Sequence, residues 1–170
     1  MRLTEPLLEL FDYPIADILA ALPSADDPLW DLATFRQAAF PEHAATRSIV
    51  FRWPTPGGLA VLRAPVNPVT AAVDRAAETI ATHLGGRVVR VMLAELPSGG
   101  YIKEHEDAGD LTLVHRCHLP ILTNDGAVLA IEGVPYRLKA GTVYEFDNTR
   151  PHAARNRGET RRVHLLCDVL

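Results

Sequence analysis

Residues 140–156 read AGTVYEFDNTRPHAARN and contain two short β-rich runs separated by a turn. The first run, TVYEFDN at 142–148, carries the β-branched and aromatic residues that are enriched in strands. The TRP sequence after it favours a turn, and HAARN at 152–156 then has the length of a second short strand. This stretch therefore predicts two successive strands of a β-domain.

Runs of the same texture surround this pair of strands. Further β-rich runs, with Gly, Pro, Asn or Asp between them, occupy residues 46–53, 87–96, 111–122, 127–133, 135–141 and 161–170. Short strands at such close spacing predict a mainly β fold, either an antiparallel sandwich or a jelly-roll barrel.

The first half of the chain has a more helical texture. The sequence NPVTAAVDRAAETIATHLGG, at 67–86, predicts a helix because apolar residues recur at helical spacing between Pro68 and a Gly-Gly stop. We also expect a short amphipathic helix near the N-terminus, ending near Pro23, and residues 28–40 have a composition compatible with a helix. The chain is interpreted as a single domain, 1–170, with a helical and early-strand flank (1–85) and a β core (86–170).

Composition limits the function classes. The chain has 48% apolar and 22% charged residues and a net charge of −4, so it lacks the basic character that non-specific nucleic-acid binding requires. No run is long and apolar enough to span a bilayer, and acidic residues interrupt the N-terminal segment, so we expect a cytoplasmic protein. Cys117 and Cys167 form no C-x-x-C motif, and reduced thiols are expected.

Alternation within two predicted strands places basic side chains on common faces. Because alternate strand residues point the same way, Arg116 shares a face with His118, and Arg162 shares one with His164. His115 points the opposite way and is interpreted as structural. On a solvated face these residues would be unremarkable, whereas inside a barrel they would form a cationic pocket suited to an organic acid.

Three further residues suggest a metal site. His105 and Asp107 form an H-x-D pair beside a predicted strand, and His152 opens another strand. Two histidines and one carboxylate on one side of a metal form the facial triad of non-haem Fe(II) oxygenases, which leaves positions open for other ligands. Arg162, on the strand after His152, is placed to pair with a carboxylate. Each residue alone is commonplace, and the prediction depends on their order and on their positions at strand edges.

Four segments carry a family resemblance: HEDAG (105–109), RCHLPILTN (116–124), AGTVYEFDNTRPHAARN (140–156) and RVHLLCD (162–168). Together they resemble the aspartyl/asparaginyl β-hydroxylases, which are 2-oxoglutarate-dependent Fe(II) dioxygenases with a double-stranded β-helix core. The subgroup that hydroxylates free amino acids, including the proline cis-4-hydroxylases, looks most similar. The resemblance covers about residues 87–170.

The resemblance implies a role for each matching residue. His105, Asp107 and His152 would be the catalytic iron ligands, and Arg162 would bind the distal carboxylate of 2-oxoglutarate. The matching residues expected to contact 2-oxoglutarate or a substrate carboxylate are His118 and Arg116. The cofactors implied are Fe(II), 2-oxoglutarate as co-substrate, and O₂.

Other positions are less defined by the resemblance. His164 faces the same way as Arg162 and either contacts one of these ligands or is a core histidine. Ala94 matches a serine that helps to bind the distal carboxylate in the peptidyl enzymes, so that hydroxyl is missing here. Asp107 is a second departure, because the vertebrate peptidyl hydroxylases lack the metal carboxylate. Trp53 and Arg52, at the end of an early strand, belong either to a substrate wall or to the core.

The implied reaction is hydroxylation of an unactivated C–H bond with release of succinate and CO₂. The N-terminal region offers no helical array for docking a protein, which favours a small-molecule substrate, an amino acid or amino-acid derivative carrying a carboxylate. The alternatives are a peptidyl aspartyl/asparaginyl β-hydroxylase, a cupin-type metal enzyme with a more histidine-rich first motif, and a non-catalytic cupin-type protein that binds organic acids.

Overall fold

The computed structural model describes residues 3–35, 38, 41–55 and 61–170, apart from the side chains of 61 and 62. The strands are β1 (Leu7–Asp12), β2 (Arg47–Pro54), β3 (Val61–Arg63), β4 (Val88–Leu96), β5 (Tyr101–His105), β6 (His115–Leu122), β7 (Ala127–Ile131), β8 (Val134–Tyr136), β9 (Thr142–Phe146), β10 (His152–Asn156) and β11 (Arg162–Val169). The helices are α1 (Ala16–Ala21) and α2 (Thr70–Leu84), and short 3-10 turns occupy Pro28–Asp31, Pro41–His43 and Gly109–Leu113.

The strands form two antiparallel sheets. The seven-stranded sheet has the order β1-β9-β6-β11-β4-β2-β3, and the four-stranded sheet has the order β5-β10-β7-β8. Residues of both sheets line one shared cavity, so the sheets are the two layers of a jelly roll, the double-stranded β-helix. The prediction of a mainly β fold with flanking helices is confirmed.

The larger sheet has two chemically different faces. In β11, Val163, Leu165, Cys167 and Val169 belong to the main hydrophobic core, which also contains the buried side of α2. Because alternate residues point to opposite faces, the even-numbered residues of β11 point toward the smaller sheet. The same alternation in β4 and β6 leaves one face of this sheet apolar and the other available for polar chemistry.

Helix α2 follows the prediction for residues 67–86. Asn67 accepts a hydrogen bond through Oδ1 from the Val69 N–H at 3.2 Å, which stabilises the start of the helix. The chain leaves the helix at Gly85, which adopts a left-handed conformation with φ of 69° that a residue with a Cβ rarely takes. The glycine stop in the sequence was therefore a correct indication of the helix end.

The N-terminal segment differs from the prediction. Only Ala16–Ala21 is helical, while Leu7–Asp12 forms β1 and pairs with β9, opposite the run 142–146. Pairing at the edge of the sheet satisfies the backbone of these residues, and this non-local contact overrides the local helical pattern. Within 28–40, Pro28–Asp31 is a single 3-10 turn, and residues 36, 37, 39 and 40 lie outside the described part of the chain.

Two further boundaries differ around the candidate site. The predicted strand at 111–122 begins only at His115, because Gly109–Leu113 forms a 3-10 turn. Tyr101–His105 forms β5, a strand that the sequence analysis did not predict. His105 is therefore the last residue of a strand, and a turn separates it from β6.

Cys117 and Cys167 are free, buried thiols on directly opposite positions of β6 and β11. Burial raises the pKa of both, so each stays a protonated thiol at neutral pH. In the described part of the chain, no helix is long and apolar enough to cross a membrane.

We expect Ile80→Ala to lower the free energy of unfolding by about 2–5 kcal/mol, because Ile80 lies on the side of α2 that is fully buried against the sheet. Thr79→Ala, at the exposed neighbouring position, is the matched control and should change stability by less than about 0.5 kcal/mol. Urea unfolding followed by circular dichroism measures both. Equal losses in the two variants would contradict the packing of α2 on this sheet.

Candidate active site

A cavity of about 580 Å³ lies between the two sheets. The smaller sheet contributes mainly apolar side chains, together with the two histidines at its edge. The larger sheet contributes the arginines, and the turn after β5 contributes Asp107. The residues that line the cavity include Arg90, His105, Asp107, Arg116, His118, His152 and Arg162.

His105, Asp107 and His152 converge at one place in this cavity. His105 ends β5 and His152 begins β10, and the two residues are direct partners across this strand pair. Asp107 follows in the turn, where its N–H donates to the Asn148 carbonyl oxygen at 2.9 Å. One ligand atom from each of the three side chains lies within 4.8 Å of the other two. The structure therefore brings together the three predicted metal ligands.

Both imidazoles are oriented by backbone carbonyl groups. Nδ1 of His105 lies 2.7 Å from the Lys103 oxygen, and Nδ1 of His152 lies 2.9 Å from the Arg150 oxygen. A proton on each Nδ1 leaves Nε2 with a free lone pair for a metal. Burial, together with the nearby His105, lowers the pKa of His152 to about 4, so the ring is neutral at physiological pH.

The Asp107 carboxylate is held at one of its oxygens. Oδ2 accepts hydrogen bonds from Arg116 Nη1 at 2.7 Å and from Asn148 Nδ2 at 2.9 Å. Burial alone would raise the pKa of Asp107, but the Arg116 charge and the Asn148 hydrogen bond hold it below its usual range. Two imidazoles and one ionised carboxylate fit a divalent iron site with open positions.

Asn148 is a site residue that sequence analysis missed. Its Nδ2 also donates to the Leu111 carbonyl oxygen at 2.9 Å, so it joins the turn after β9 to the segment that follows Asp107. The available signal was its position at the end of the run 142–148, four residues before His152.

Arg116 lies in the cavity wall, as the alternation predicted, but carboxylates of the protein already engage its guanidinium group. Nε donates to Asp168 Oδ1, Nη2 donates to Asp168 Oδ2 at 3.2 Å, and Nη1 donates to Asp107. The structure therefore places Arg116 as the link between a buried acid and a candidate metal ligand.

Arg90 was not predicted as a site residue. It lies in β4 directly across from Asp168 of β11, and Asp168 in turn lies across from Arg116 of β6. The three residues form a row of alternating charge over three neighbouring strands, on the face that lines the cavity. An arginine within the apolar run VVRVML was the sequence signal for a charged group facing inward.

Arg162 differs from Arg116 in its surroundings. It is buried in the cavity wall, and none of the described carboxylates lies within ion-pair distance of it. Its Nε and Nη2 lie 2.9 and 2.6 Å from the two ring nitrogens of His164. Burial lowers its pKa to about 10, and the group stays cationic at neutral pH.

The remaining predicted residues occupy different depths. His118 lines the cavity, with its ring 5.0 Å from that of Phe146. His164 is not one of the described lining residues; it lies behind, with Nδ1 3.2 Å from Nδ1 of His118. His115, whose Nδ1 is 2.6 Å from Glu145 Oε1, is outside the cavity lining.

The early strand β2 separates two residues that the sequence grouped together. Trp53 lines the cavity, whereas Arg52 pairs with Asp74 and Glu78 of α2 on the other side of the sheet. Consecutive strand residues point to opposite faces, which accounts for this division. Ala94 lines the cavity without a hydroxyl, as the sequence indicated.

A jelly roll that carries two histidines and a carboxylate on one side of its cavity has the arrangement of the non-haem iron oxygenases. The profile described as Aspartyl/Asparaginyl beta-hydroxylase matches residues 60–170, and the chain belongs to this family. The resemblance noted from four short segments is confirmed and extends upstream of residue 87. Family membership indicates a 2-oxoglutarate- and iron-dependent oxygenase.

Solved structures share the fold at low sequence identity. A 2OG-Fe(II) oxygenase family oxidoreductase from Burkholderia pseudomallei is 16% identical, with a TM-score of 0.56 over 92% of this chain and 89% of that one. A Pseudomonas putida prolyl-4-hydroxylase is 18% identical, with a TM-score of 0.55 over 98% and 92% of the two chains. No curated protein matches the sequence.

Asn148→Ala should weaken metal binding by about 10–100-fold, because it removes a hydrogen bond that orients the Asp107 carboxylate. Titration with Mn(II), followed by electron paramagnetic resonance, measures the affinity directly. Glu104→Gln, at an exposed position beside His105, is the control and should leave the affinity unchanged. The same affinity in the Asn148 variant and wild type would mean that Asp107 is positioned by other contacts.

Proposed function

We propose that the protein is an Fe(II)/2-oxoglutarate-dependent dioxygenase that hydroxylates an unactivated C–H bond of a small amino acid or amino-acid derivative, releasing succinate and CO₂. The observation that carries this proposal is the convergence of His105, Asp107 and His152 in a cavity that also contains Arg162, a buried cation without a described carboxylate partner. A site for a metal and a site for an anion thus share one enclosed space.

His105 Nε2, His152 Nε2 and the free oxygen of Asp107 would hold the iron. When bound, iron and 2-oxoglutarate supply the oxidising chemistry that no protein side chain provides. The protein binds these two groups, orients them and shields them from solvent. Asp107 keeps its orientation through Arg116 and Asn148, which both bind Oδ2, so its other oxygen would be available to the metal.

Arg162 would bind the distal carboxylate of 2-oxoglutarate. Guanidinium and carboxylate groups form paired hydrogen bonds that fix both distance and direction, which a water-poor cavity strengthens. His164 contacts the same guanidinium group, and we propose that it positions Arg162. His118 lines the cavity wall and remains a candidate contact for either acid.

The same features weigh against the other function classes. A protein that only binds organic acids needs Arg162 and the cavity but has no need for three convergent metal ligands. A cupin-type enzyme without 2-oxoglutarate has no need for a buried arginine such as Arg162. Asp107 favours the small-molecule hydroxylases of the family over the vertebrate peptidyl hydroxylases, which lack the metal carboxylate.

The proposal includes the organisation of the chain and its location. We propose that residues 1–170 act as one catalytic domain, since α2 of the first half shares a hydrophobic core with β4, β6 and β11 of the second. The buried free thiols Cys117 and Cys167 support a reducing compartment, the cytoplasm.

Anaerobic addition of Fe(II) and 2-oxoglutarate should produce a weak charge-transfer absorption band in the visible. His105→Ala and Asp107→Ala should abolish the band, because each removes a ligand from the three-residue set. His115→Ala removes a histidine outside the cavity and should retain it. A band of wild-type intensity in either ligand variant would exclude this metal site.

Arg162→Ala should weaken 2-oxoglutarate binding by about 2–5 kcal/mol, the effect of removing one partner of a buried charge pair. Arg161→Ala is the matched control, because this neighbouring arginine is outside the cavity lining. Arg161 donates to the Pro23 carbonyl oxygen and lies 3.7 Å from Glu95. Calorimetry with the zinc-loaded protein measures affinity without turnover. An unchanged affinity for the Arg162 variant would remove Arg162 from the co-substrate site.

Product analysis can identify the substrate. Succinate release, screened over free amino acids in the presence of Fe(II), 2-oxoglutarate and O₂, should rise above the uncoupled background for a true substrate. Mass spectrometry of that amino acid should show the gain of one oxygen atom. Succinate release confined to peptides with an aspartyl or asparaginyl residue would instead support the peptidyl alternative.

A further inference from the structure

Arg90 has an unusual position in the cavity wall. It is 6% exposed and lies in β4, on the face that carries Met92 and Ala94. Its guanidinium carbon lies 5.3 Å from the centre of the Trp53 ring, which also lines the cavity. The indole shields one side of the cation and limits the directions in which Arg90 can bind.

The protein satisfies only part of this guanidinium group. Nη2 lies 2.5 Å from Asp168 Oδ2, in a contact whose angle does not meet that of a hydrogen bond. Nε has no hydrogen-bond acceptor among the described residues. Asp168 is also shared, since both of its oxygens accept hydrogen bonds from Arg116. Nε and Nη2 are themselves closed off from the cavity, so an anion in the cavity would reach Arg90 through Nη1, which has no hydrogen-bond partner among the described residues.

Charge balance leads to the same conclusion. The inner wall has the guanidinium groups of Arg90, Arg116 and Arg162 against the carboxylates of Asp107 and Asp168, an excess of one positive charge. A divalent metal raises this excess, and the two carboxylates of 2-oxoglutarate lower it again to one. One further carboxylate placed against this wall completes its local balance, while the ammonium group of an amino acid would have to lie away from the arginines.

Other acidic residues around the cavity do not supply that charge. Glu95 is paired with Arg47 at 2.9 Å. Glu42, Glu106 and Asp110 lie at the mouth of the cavity and are half-buried or exposed, so solvent screens them from the interior. Burial, together with the adjacent Arg116 charge, lowers the pKa of Arg90, while Asp168 and Asp107 act in the opposite direction.

We propose that Arg90, held between Asp168 and the Trp53 ring, binds the α-carboxylate of a free amino-acid substrate, while Arg162 binds 2-oxoglutarate. This inference rests on the proposed function and adds to it the residue that recognises the substrate. Two separate buried arginines would keep co-substrate and substrate carboxylates apart, so that each acid occupies one orientation. The distance between the bound carboxylate and each C–H bond of the substrate then determines which bond is placed for hydroxylation.

Binding can be tested without turnover. Protein loaded with Zn(II) and 2-oxoglutarate is screened against the twenty free L-amino acids and their carboxamides by thermal shift, and affinities are then measured by calorimetry. At least one acid should bind, and its carboxamide, which lacks the negative carboxylate, should bind at least about tenfold more weakly. Arg90→Met should reduce the affinity for that acid by a similar factor and leave the affinity for 2-oxoglutarate unchanged.

Arg52→Met is the matched control. Arg52 is a second buried arginine on the neighbouring strand, but it pairs with α2 on the opposite side of the sheet. The Arg52→Met variant should retain its affinities for the amino acid and for 2-oxoglutarate. Arg90→Lys keeps the charge but loses the paired donors of the guanidinium group, so its affinity for the amino acid should fall between those of wild type and Arg90→Met.

Three results would overturn the inference: no free amino acid binds, acid and carboxamide bind equally, or Arg90→Met weakens 2-oxoglutarate instead of the amino acid. Failure of wild-type protein to bind 2-oxoglutarate at all would instead refute the proposed function, so the two failures are distinguishable.

Discussion

The pairing of Asp168 with the guanidinium groups on its two sides is the interaction on which the site depends. A carboxylate buried in the middle of a sheet requires compensation, and Arg90 and Arg116 provide it from the two adjacent strands. Arg116 then extends to Asp107 and orients this candidate metal ligand. One buried acid thus connects the wall of the cavity to the metal centre, although Asp168 itself is not a ligand.

This arrangement is possible because the larger sheet separates its two faces. The odd-numbered residues of β11 pack toward α2 in a continuous apolar core, which stabilises the sheet independently of the cavity. The even-numbered residues can then carry charge without interrupting that core. Arg162, His164 and Asp168 are all in this position and are all buried. The stability of the fold and the chemistry of the site therefore depend on opposite sides of the same strands.

The sequence predicted the features that follow from local periodicity. Alternation correctly placed Arg116 beside His118 and Arg162 beside His164, and glycine correctly ended α2. It could not predict β1, because Leu7–Asp12 becomes a strand only by pairing with β9, far away in the sequence. The role of Arg116 was also inaccessible, since alternation gives the face of a side chain but not its partners. Asn148 and Arg90 were missed for the same reason: their importance comes from contacts across strands that one sequence does not display.

The buried arginines can be compared with one another, and the comparison separates structural cations from those available to ligands. Arg52 and Arg116 each meet two carboxylates, so their charges are compensated within the protein. Arg162 has only His164 among its described hydrogen-bond partners, and Arg90 shares a carboxylate that Arg116 already engages. Burying a cation without full compensation is unfavourable for folding, and such a group persists where a ligand completes it. Arg90 and Arg162 both line the cavity, which is where anionic ligands would supply the missing partners.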